Sequence, residues 1–252
     1  MRIDEYLFAK GFFDSRTKAK QALERGAVFC NGKAMVKAST EISDREPRIE
    51  IREEETFVSL GGYKLAKALK DFNFRVEGLT VADIGASTGG FTDCLIKNGA
   101  KKVYAVDLND ELLHESLKNS DKVVRIIKNA KTLSVGDFND NLDLIIADLS
   151  FISAKQVLSV FYGLLPKNGK VILLIKPQFE IGEKRRFKNG IIKDEKTVKA
   201  VCRSVFDEAV RVGFNPINMT VAPIKQDKNT EFLILLAKNE DSGACFENLY
   251  KF

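Results

Sequence analysis

Residues 80–93, Thr80-Val81-Ala82-Asp83-Ile84-Gly85-Ala86-Ser87-Thr88-Gly89-Gly90-Phe91-Thr92-Asp93, decide the fold: a short apolar strand breaks into a glycine-rich turn that opens a helix. Glycine at 85, 89 and 90 lets the backbone turn tightly and come close to a ligand, because no Cβ stands in the way. Asp107 closes the next strand, Lys102 to Val106, about 20 residues after the loop, where such folds set a carboxylate against ribose hydroxyls. The run Gly85-Ala86-Ser87-Thr88-Gly89-Gly90 departs from the dinucleotide fingerprint: the third glycine comes early, and Asp83 precedes the first. An acidic residue ahead of the glycines suits a ligand with a cationic amino-acid head better than a pyrophosphate, and S-adenosylmethionine fits that description. Taken alone, the loop favours cofactor binding over the competing reading, a sharp strand-to-helix turn with no ligand.

Outward from this loop the chain alternates helix and strand. Gly61-Gly62 precede a predicted helix, Tyr63 to Phe72, with Leu65, Leu69 and Phe72 on one face and Lys64 on another. Strands are predicted at Thr80 to Ile84, Lys102 to Val106, Val123 to Ile127, Leu142 to Ala147, Val171 to Ile175, Pro216 to Val221 and Glu231 to Ala237. Helices are predicted at Phe91 to Asn98, Glu111 to Asn119, near Ala154 to Leu165 and at Thr197 to Val212. Strands with helical crossovers build a parallel sheet with helices on both faces. The last two strands are joined by a polar loop, Ala222 to Thr230, with no helix, so they pair antiparallel. The fold class is α/β: a Rossmann-like sheet of the methyltransferase kind, mostly parallel with an antiparallel last strand, preceded by a small N-terminal α+β module.

Ligands of such sheets bind beyond the carboxyl ends of the parallel strands. Asp148 and Lys176 each follow a parallel strand, and Glu231 opens a strand that runs backwards, so all three fall at that edge. Each alone reads equally as a strand-end surface charge. Their convergence beside the loop, with Lys176 set in Leu174-Ile175-Lys176-Pro177-Gln178-Phe179-Glu180, argues against coincidence.

Composition narrows the classes. The 252 residues suffice for one large domain plus a small one, and 44% hydrophobic with 30% charged is ordinary for a globular protein. A net charge of +5 favours nucleic acid or another polyanion as partner. No stretch reaches 18 uninterrupted apolar residues, and Met1-Arg2-Ile3-Asp4-Glu5 has no hydrophobic signal core, so a cytoplasmic protein without membrane association is expected. Cys30, Cys94, Cys202 and Cys245 lie far apart with no C-x-x-C pair, which indicates packing residues and no metal site. The single histidine, His114, sits in a polar stretch, so the chemistry is expected to proceed without a histidine base.

The first fifty-odd residues read as a separate module. Arg2 to Lys10 and a second segment from Asp14-Ser15 to Gly26 are predicted helices, the second strongly basic through Arg16, Lys18, Lys20 and Arg25. Asn31-Gly32 between two short apolar runs signals a type I′ hairpin. Through residue 40 eight basic residues stand against four acidic ones. A solvated amphipathic helix pair explains this as well as RNA binding does. The pattern Asp4, Ser15-Arg16, Lys18-Ala19, Gly26, Val28, Asn31-Gly32 and Lys37, however, resembles the S-four RNA-binding domain, which implies that the basic helix, Arg16, Lys18, Lys20 and Arg25, faces structured RNA. The charge-dense stretch Asp44 to Glu55 sets the expected boundary, giving domains 1–55 and 56–252.

Asp83 to Asp93, Asp148-Leu149-Ser150-Phe151-Ile152-Ser153, Leu174 to Glu180 and Asn229-Thr230-Glu231-Phe232-Leu233 resemble the TlyA (hemolysin A) family of rRNA 2′-O-methyltransferases, which joins an S-four domain to a methyltransferase domain related to FtsJ. The family's K-D-K-E tetrad maps onto Lys64, Asp148, Lys176 and Glu231. The resemblance implies Lys176 as base, Lys64 depressing its pKa by like charge, and Asp148 and Glu231 orienting the lysines and the hydroxyl. It places S-adenosylmethionine with Asp83, Gly85, Ser87, Gly89 and Phe91 at the methionine end, Asp107 at the ribose, and Ile127-Lys128-Asn129-Ala130, Asn129 in particular, at the adenine. This chain has Ser59-Leu60-Gly61-Gly62 where the family usually has Ser-Arg-Gly-Gly, and Leu108-Asn109-Asp110-Glu111 where a glycine-containing run is usual. A start almost at the first helix and a short segment after the last strand resemble the shorter family form, which implies a cytidine of 23S rRNA in the large subunit as target. Two other classes compete with this one. An RNA-binding protein with a non-catalytic Rossmann domain could lose the tetrad, which is complete here; a membrane-active hemolysin needs an apolar insertion segment, and none is evident.

Overall fold

A core of Ile3, Leu7, Ala19, Ala22, Leu23 and Val28, all fully buried, organises the N-terminal end of the chain. The structure is a computed structural model; it describes residues 1–24, 26–42, 47–51, 57–181, 190–223, 228–239 and 243–252, and its contacts divide the chain into the units Met1–Thr56 and Phe57–Phe252. In the first unit α1 (Ile3–Ala9) and α2 (Arg16–Glu24) supply the core from one face each, with apolar residues four apart or at adjoining turns. Ser15 caps α2 by accepting from Lys18 N at 3.2 Å. Asn31 and Gly32 both take positive φ, +51° and +78°, and close the hairpin of β1 (Val28–Cys30) and β2 (Lys33–Met35). A third strand, β3 (Ile49–Ile51), pairs antiparallel with the other side of β1. It falls inside the charged stretch expected to be a boundary, where the alternation Ile49-Glu50-Ile51 is the strand signal. The boundary residues Glu53-Glu54-Glu55 lie outside the described residues, as does Arg25.

The second unit opens with α3 (Leu60–Asp71), β4 (Thr80–Ile84), α4 (Gly90–Lys97), β5 (Lys102–Asp107), α5 (Glu115–Lys118) and β6 (Val123–Ile127). It continues through β7 (Leu144–Ala147), α6 (Leu158–Leu164), β8 (Lys170–Ile175), α7 (Pro177–Glu180), α8 (Glu195–Val212), β9 (Phe214–Val221), β10 (Phe232–Lys238) and α9 (Phe246–Leu249). Among the described residues the strands form one sheet in the order β6-β5-β4-β7-β8-β10-β9. The first five run parallel, and β10 is antiparallel to both β8 and β9. Strand order reverses beside β4, which has β5 on one side and β7 on the other, so the crevice of the fold opens at its carboxyl end. Apolar side chains cover both sheet faces, which is why β4, β7 and β8 are near-continuous hydrophobic runs.

Three helices differ from expectation. Helix α3 starts at Leu60, so Gly61 and Gly62 lie inside its first turn; a Cβ on Gly62 would stand 2.3 Å from the Phe57 ring and 2.9 Å from Gly90 O, and glycine lets α3 and α4 meet there. Of Glu111 to Asn119 only Glu115–Lys118 is helical, because His114 caps it, its ring nitrogen accepting from Ser116 N at 3.3 Å. The stretch from Ala154 divides into a 3₁₀ turn, Ala154–Gln156, and α6, broken at Val157. After the last strand α9 buries Phe246 and Leu249 against the sheet's partners. Of the cysteines, Cys94 and Cys202 are buried as expected of packing residues, whereas Cys245 is exposed.

Candidate active site

The glycine turn sits where the strand order reverses. Gly85 and Gly89 both have φ +87° and Ser87 has φ +48°, and a Cβ on Gly85 would stand 2.4 Å from Asp148 O. The turn therefore lies directly against the loop that follows β7, an approach only glycine allows. Asp148 N in turn donates to Ile84 O at 3.0 Å.

Two lysine–carboxylate pairs stand at this edge. Lys64 Nζ, from α3, lies 2.6 Å from Glu231 Oε2, with the side chains only 21% and 17% exposed. Lys176 Nζ pairs with Asp148 Oδ1 and donates to Ser150 Oγ at 2.9 Å. Register brings the pairs together: Phe232 is opposite Ile175, so Glu231 and Lys176 occupy adjoining strand ends, and Asp148 follows β7, the other neighbour of β8. Lys64 and Lys176 thus each have a carboxylate counter-ion of their own.

The cofactor-side residues divide by burial. Asp83 is fully buried; its Oδ2 accepts from Thr92 Oγ1 at 2.6 Å, while Oδ1 has no hydrogen-bond donor among the described residues. Burial, aided by the negative charges of Asp148 and Asp107, raises its carboxyl to about 7 against the bond from Thr92. A buried acceptor without a donor is costly. Asp107, ending β5, accepts from Ser87 N at 2.8 Å and Leu108 N at 2.7 Å, which ties strand end to turn. Gly89 caps α4. Phe91 is 3% exposed and packs where α3 and α4 meet, a Cβ on Gly61 falling 3.3 Å from its ring. Asn129 caps the 3₁₀ turn Ala130–Thr132, its Oδ1 accepting from Lys131 N at 3.0 Å. Leu108, beyond β5, and Ile127, ending β6, leave apolar side chains exposed at the same edge.

Several residues at the edge lie in the stretches that carry the resemblance, yet the sequence assigns them no role. Phe151 is 88% exposed, holds φ +68°, and its ring lies 5.2 Å from that of Phe179, over which Lys176 Nζ sits at 5.8 Å. Left-handed backbone at a bulky residue costs about 1–3 kcal/mol and persists where surroundings fix it. Ser150 and Glu180 belong to the same cluster. No single-sequence signal marks an exposed phenylalanine, since by pattern it reads as core.

In the first unit the basic residues differ in kind. Arg16 grips Asp4 at 3.0 Å and Glu5 at 3.2 Å, and Arg2 holds Asp4 as well. Burial pushes the Asp4 carboxyl up, but these guanidinium bonds outweigh it and hold the carboxyl below its usual range. Lys18 and Lys20 make exposed pairs, with Asp14 at 2.6 Å and Glu24 at 3.9 Å. Among the described residues no group of three or more His, Cys, Asp or Glu could hold a metal ion, and no helix is long and apolar enough to cross a membrane.

Comparison with known proteins shows the family. The family model for FtsJ-like methyltransferases matches residues 57–239, and that for the S4 domain matches 1–43. Hemolysin A of Brachyspira hyodysenteriae is 39% identical over 92% of this chain and 98% of its own length. The 16S/23S rRNA (cytidine-2′-O)-methyltransferase TlyA of Mycobacterium tuberculosis is 32% identical over 98% of this chain and 94% of its own length. The 23S rRNA (cytidine-2′-O)-methyltransferase TlyA of Campylobacter jejuni is 30% identical over 95% of this chain and all of its own length. The chain belongs to the FtsJ-like methyltransferase family, in the TlyA and hemolysin A branch that carries an S4 domain ahead of the methyltransferase.

Proposed function

We propose that this protein transfers a methyl group from S-adenosylmethionine to the ribose 2′-hydroxyl of a cytidine in 23S rRNA. The observation that carries the reading is the two partly buried pairs, Lys64–Glu231 and Lys176–Asp148, standing at the carboxyl edge beside the glycine turn. The cofactor's residues fit: Asp83 Oδ1 lacks a donor where a cationic head is expected, and Leu108 and Ile127 offer apolar surface to an adenine. When bound, S-adenosylmethionine supplies a methyl group on a sulfonium, an electrophile that needs no metal.

The protein's own part is to hold a poor nucleophile and take its proton. Lys176 is the base that receives the hydroxyl proton, with Asp148, the carboxylate it touches, and Ser150 fixing the direction of its amine. Lys64 and Glu231 orient the ribose from the other side. Phe151 offers a stacking face to the nucleobase, an interaction worth about 1–3 kcal/mol per base in single-stranded recognition. A target stacked in a helix must first be extruded, costing roughly a few kcal/mol. In the S4 domain Lys18 and Lys20 contact phosphate, because exposed ion pairs, worth about 0–1 kcal/mol, yield readily to a polyanion, whereas Arg16 anchors Asp4. The 23S assignment rests on the two TlyA relatives, whose names share that RNA and differ in 16S. Such an enzyme acts in the cytoplasm.

Large and small ribosomal subunits are incubated separately with the enzyme and methyl-labelled cofactor, and the modified nucleotide is mapped. Label is expected on a cytidine ribose of 23S rRNA, and Lys176→Ala lowers incorporation by a factor on the order of 10² or more with cofactor affinity retained. Full turnover by that variant removes Lys176 from the mechanism, and comparable labelling of 16S rRNA removes the subunit preference alone.

A further inference from the structure

Glu180 lies outside the tetrad, yet both of its carboxylate oxygens reach the loop that follows β7. Oε2 accepts from Ser153 Oγ at 2.5 Å and Oε1 from Ala154 N at 2.7 Å. Burial pushes its carboxyl up and these donors oppose that shift, so the group is turned inward and is no solvated surface charge. Glu180 ends α7, the short helix that begins directly after Lys176. Nearer the reaction centre the same two segments are joined by Lys176 to Asp148 and Ser150, and by the Phe151 ring against Phe179. Loop 148–153 is therefore pinned at its start by Lys176 and at its end by Glu180. Between the pins Phe151 keeps its left-handed backbone, which a non-glycine residue holds only where its surroundings over-determine it. Releasing the far pin lets the loop relax toward ordinary backbone angles, and Asp148, Ser150 and Phe151 move with it.

We propose that Glu180 is a positioning residue, whose carboxylate sets loop 148–153 so that Asp148, Ser150 and Phe151 meet Lys176 in reactive geometry. This rests on the methyl-transfer reading above. A misplacement on the order of 1 Å costs about 10²-fold in rate, so the effect belongs in kcat and not in binding.

The test uses the full chain with Glu180→Ala, Glu180→Gln, Ser153→Ala and the Glu180→Ala/Ser153→Ala pair. Glu180→Ala is expected to lower kcat roughly 10- to 100-fold with KM for rRNA and cofactor within about twofold. Glu180→Gln, which still accepts from Ala154 N and bonds Ser153, restores kcat to within about threefold, and the double variant is no worse than Glu180→Ala. Hydrogen exchange of the resting protein reads the pin without turnover: amides of 149–154 exchange faster in Glu180→Ala while β4 and α8 keep their protection. The proposal is overturned by kcat within twofold of wild type, by additive losses in the double variant, by a loss confined to KM, or by unchanged exchange at 149–154. Should the wild type transfer no methyl to rRNA, the functional reading fails on its own, and the exchange measurement still decides the pin.

Discussion

Replacing Asp83 by asparagine separates the folding cost of that carboxylate from its use. In the folded protein burial raises the carboxyl to about 7, whereas an unfolded aspartate keeps 3.8. Between those values the folded state binds the proton that the unfolded state has lost, so this group's contribution to stability falls as pH rises from about 4 to about 7 and is constant above. The difference of roughly 3 pH units is worth about 4 kcal/mol in total, of which about 2.5 kcal/mol is lost between pH 5 and pH 8. Asparagine has the same shape, still accepts from Thr92 Oγ1, and does not titrate. Its amide nitrogen takes the place of an oxygen without a donor, exchanging one unpaired group for another at a cost of about 1–3 kcal/mol. Urea unfolding of wild type and Asp83→Asn at pH 5 and pH 8 is the assay, since other titrating groups cancel in the comparison. The variant should gain about 2.5 kcal/mol on wild type between the two pH values, and titration calorimetry should show its cofactor affinity lowered at pH 8 and nearly independent of pH. Parallel stability profiles would refute the buried charge; equal affinity at pH 8 would refute its pairing with a cationic ligand.

Two further outcomes are expected. Asp107→Ala removes both the proposed ribose interaction and the bond that holds Ser87 N, and should weaken cofactor binding about tenfold or more by calorimetry; unchanged affinity would remove Asp107 from the site. Lys18→Glu with Lys20→Glu should weaken rRNA binding, and the plot of log affinity against log salt should become shallower by about 1 for each lysine–phosphate pair removed; a slope equal to wild type would place the RNA elsewhere.

What could be read in the chain and what could not follows from how far each signal reaches. Strand and turn signals are local, so Thr80 to Ile84, the glycine turn and the Asn31-Gly32 hairpin were legible, and the parallel sheet followed from alternation. The tetrad's place at one edge was legible too, because strand direction alone sends Asp148, Lys176 and Glu231 there. Pairing between them was not: that Lys64 meets Glu231, 167 residues away, depends on how α3 lies against the sheet. Phe91 and Phe151 show the limit most plainly, being the same residue type with opposite fates. Phe91 lies against Gly61 of α3, and Phe151 is held out by a loop whose fixing groups, Lys176 and Glu180, come from another segment. Helix α5 came out short because His114 takes a capping role that composition does not reveal.

The position of β10 between β8 and β9 also bears on when the enzyme comes into being. Strand β10 pairs with one neighbour, β8, made well before it and another, β9, made just before it, so the sheet closes only after residue 238 has been delivered. Until then β8, apolar but for Lys170, presents an open edge, a hazard for the nascent chain. The last member of the tetrad, Glu231, arrives with that same strand. A growing polypeptide thus carries three of the four charged residues before the counter-ion of Lys64 is in place.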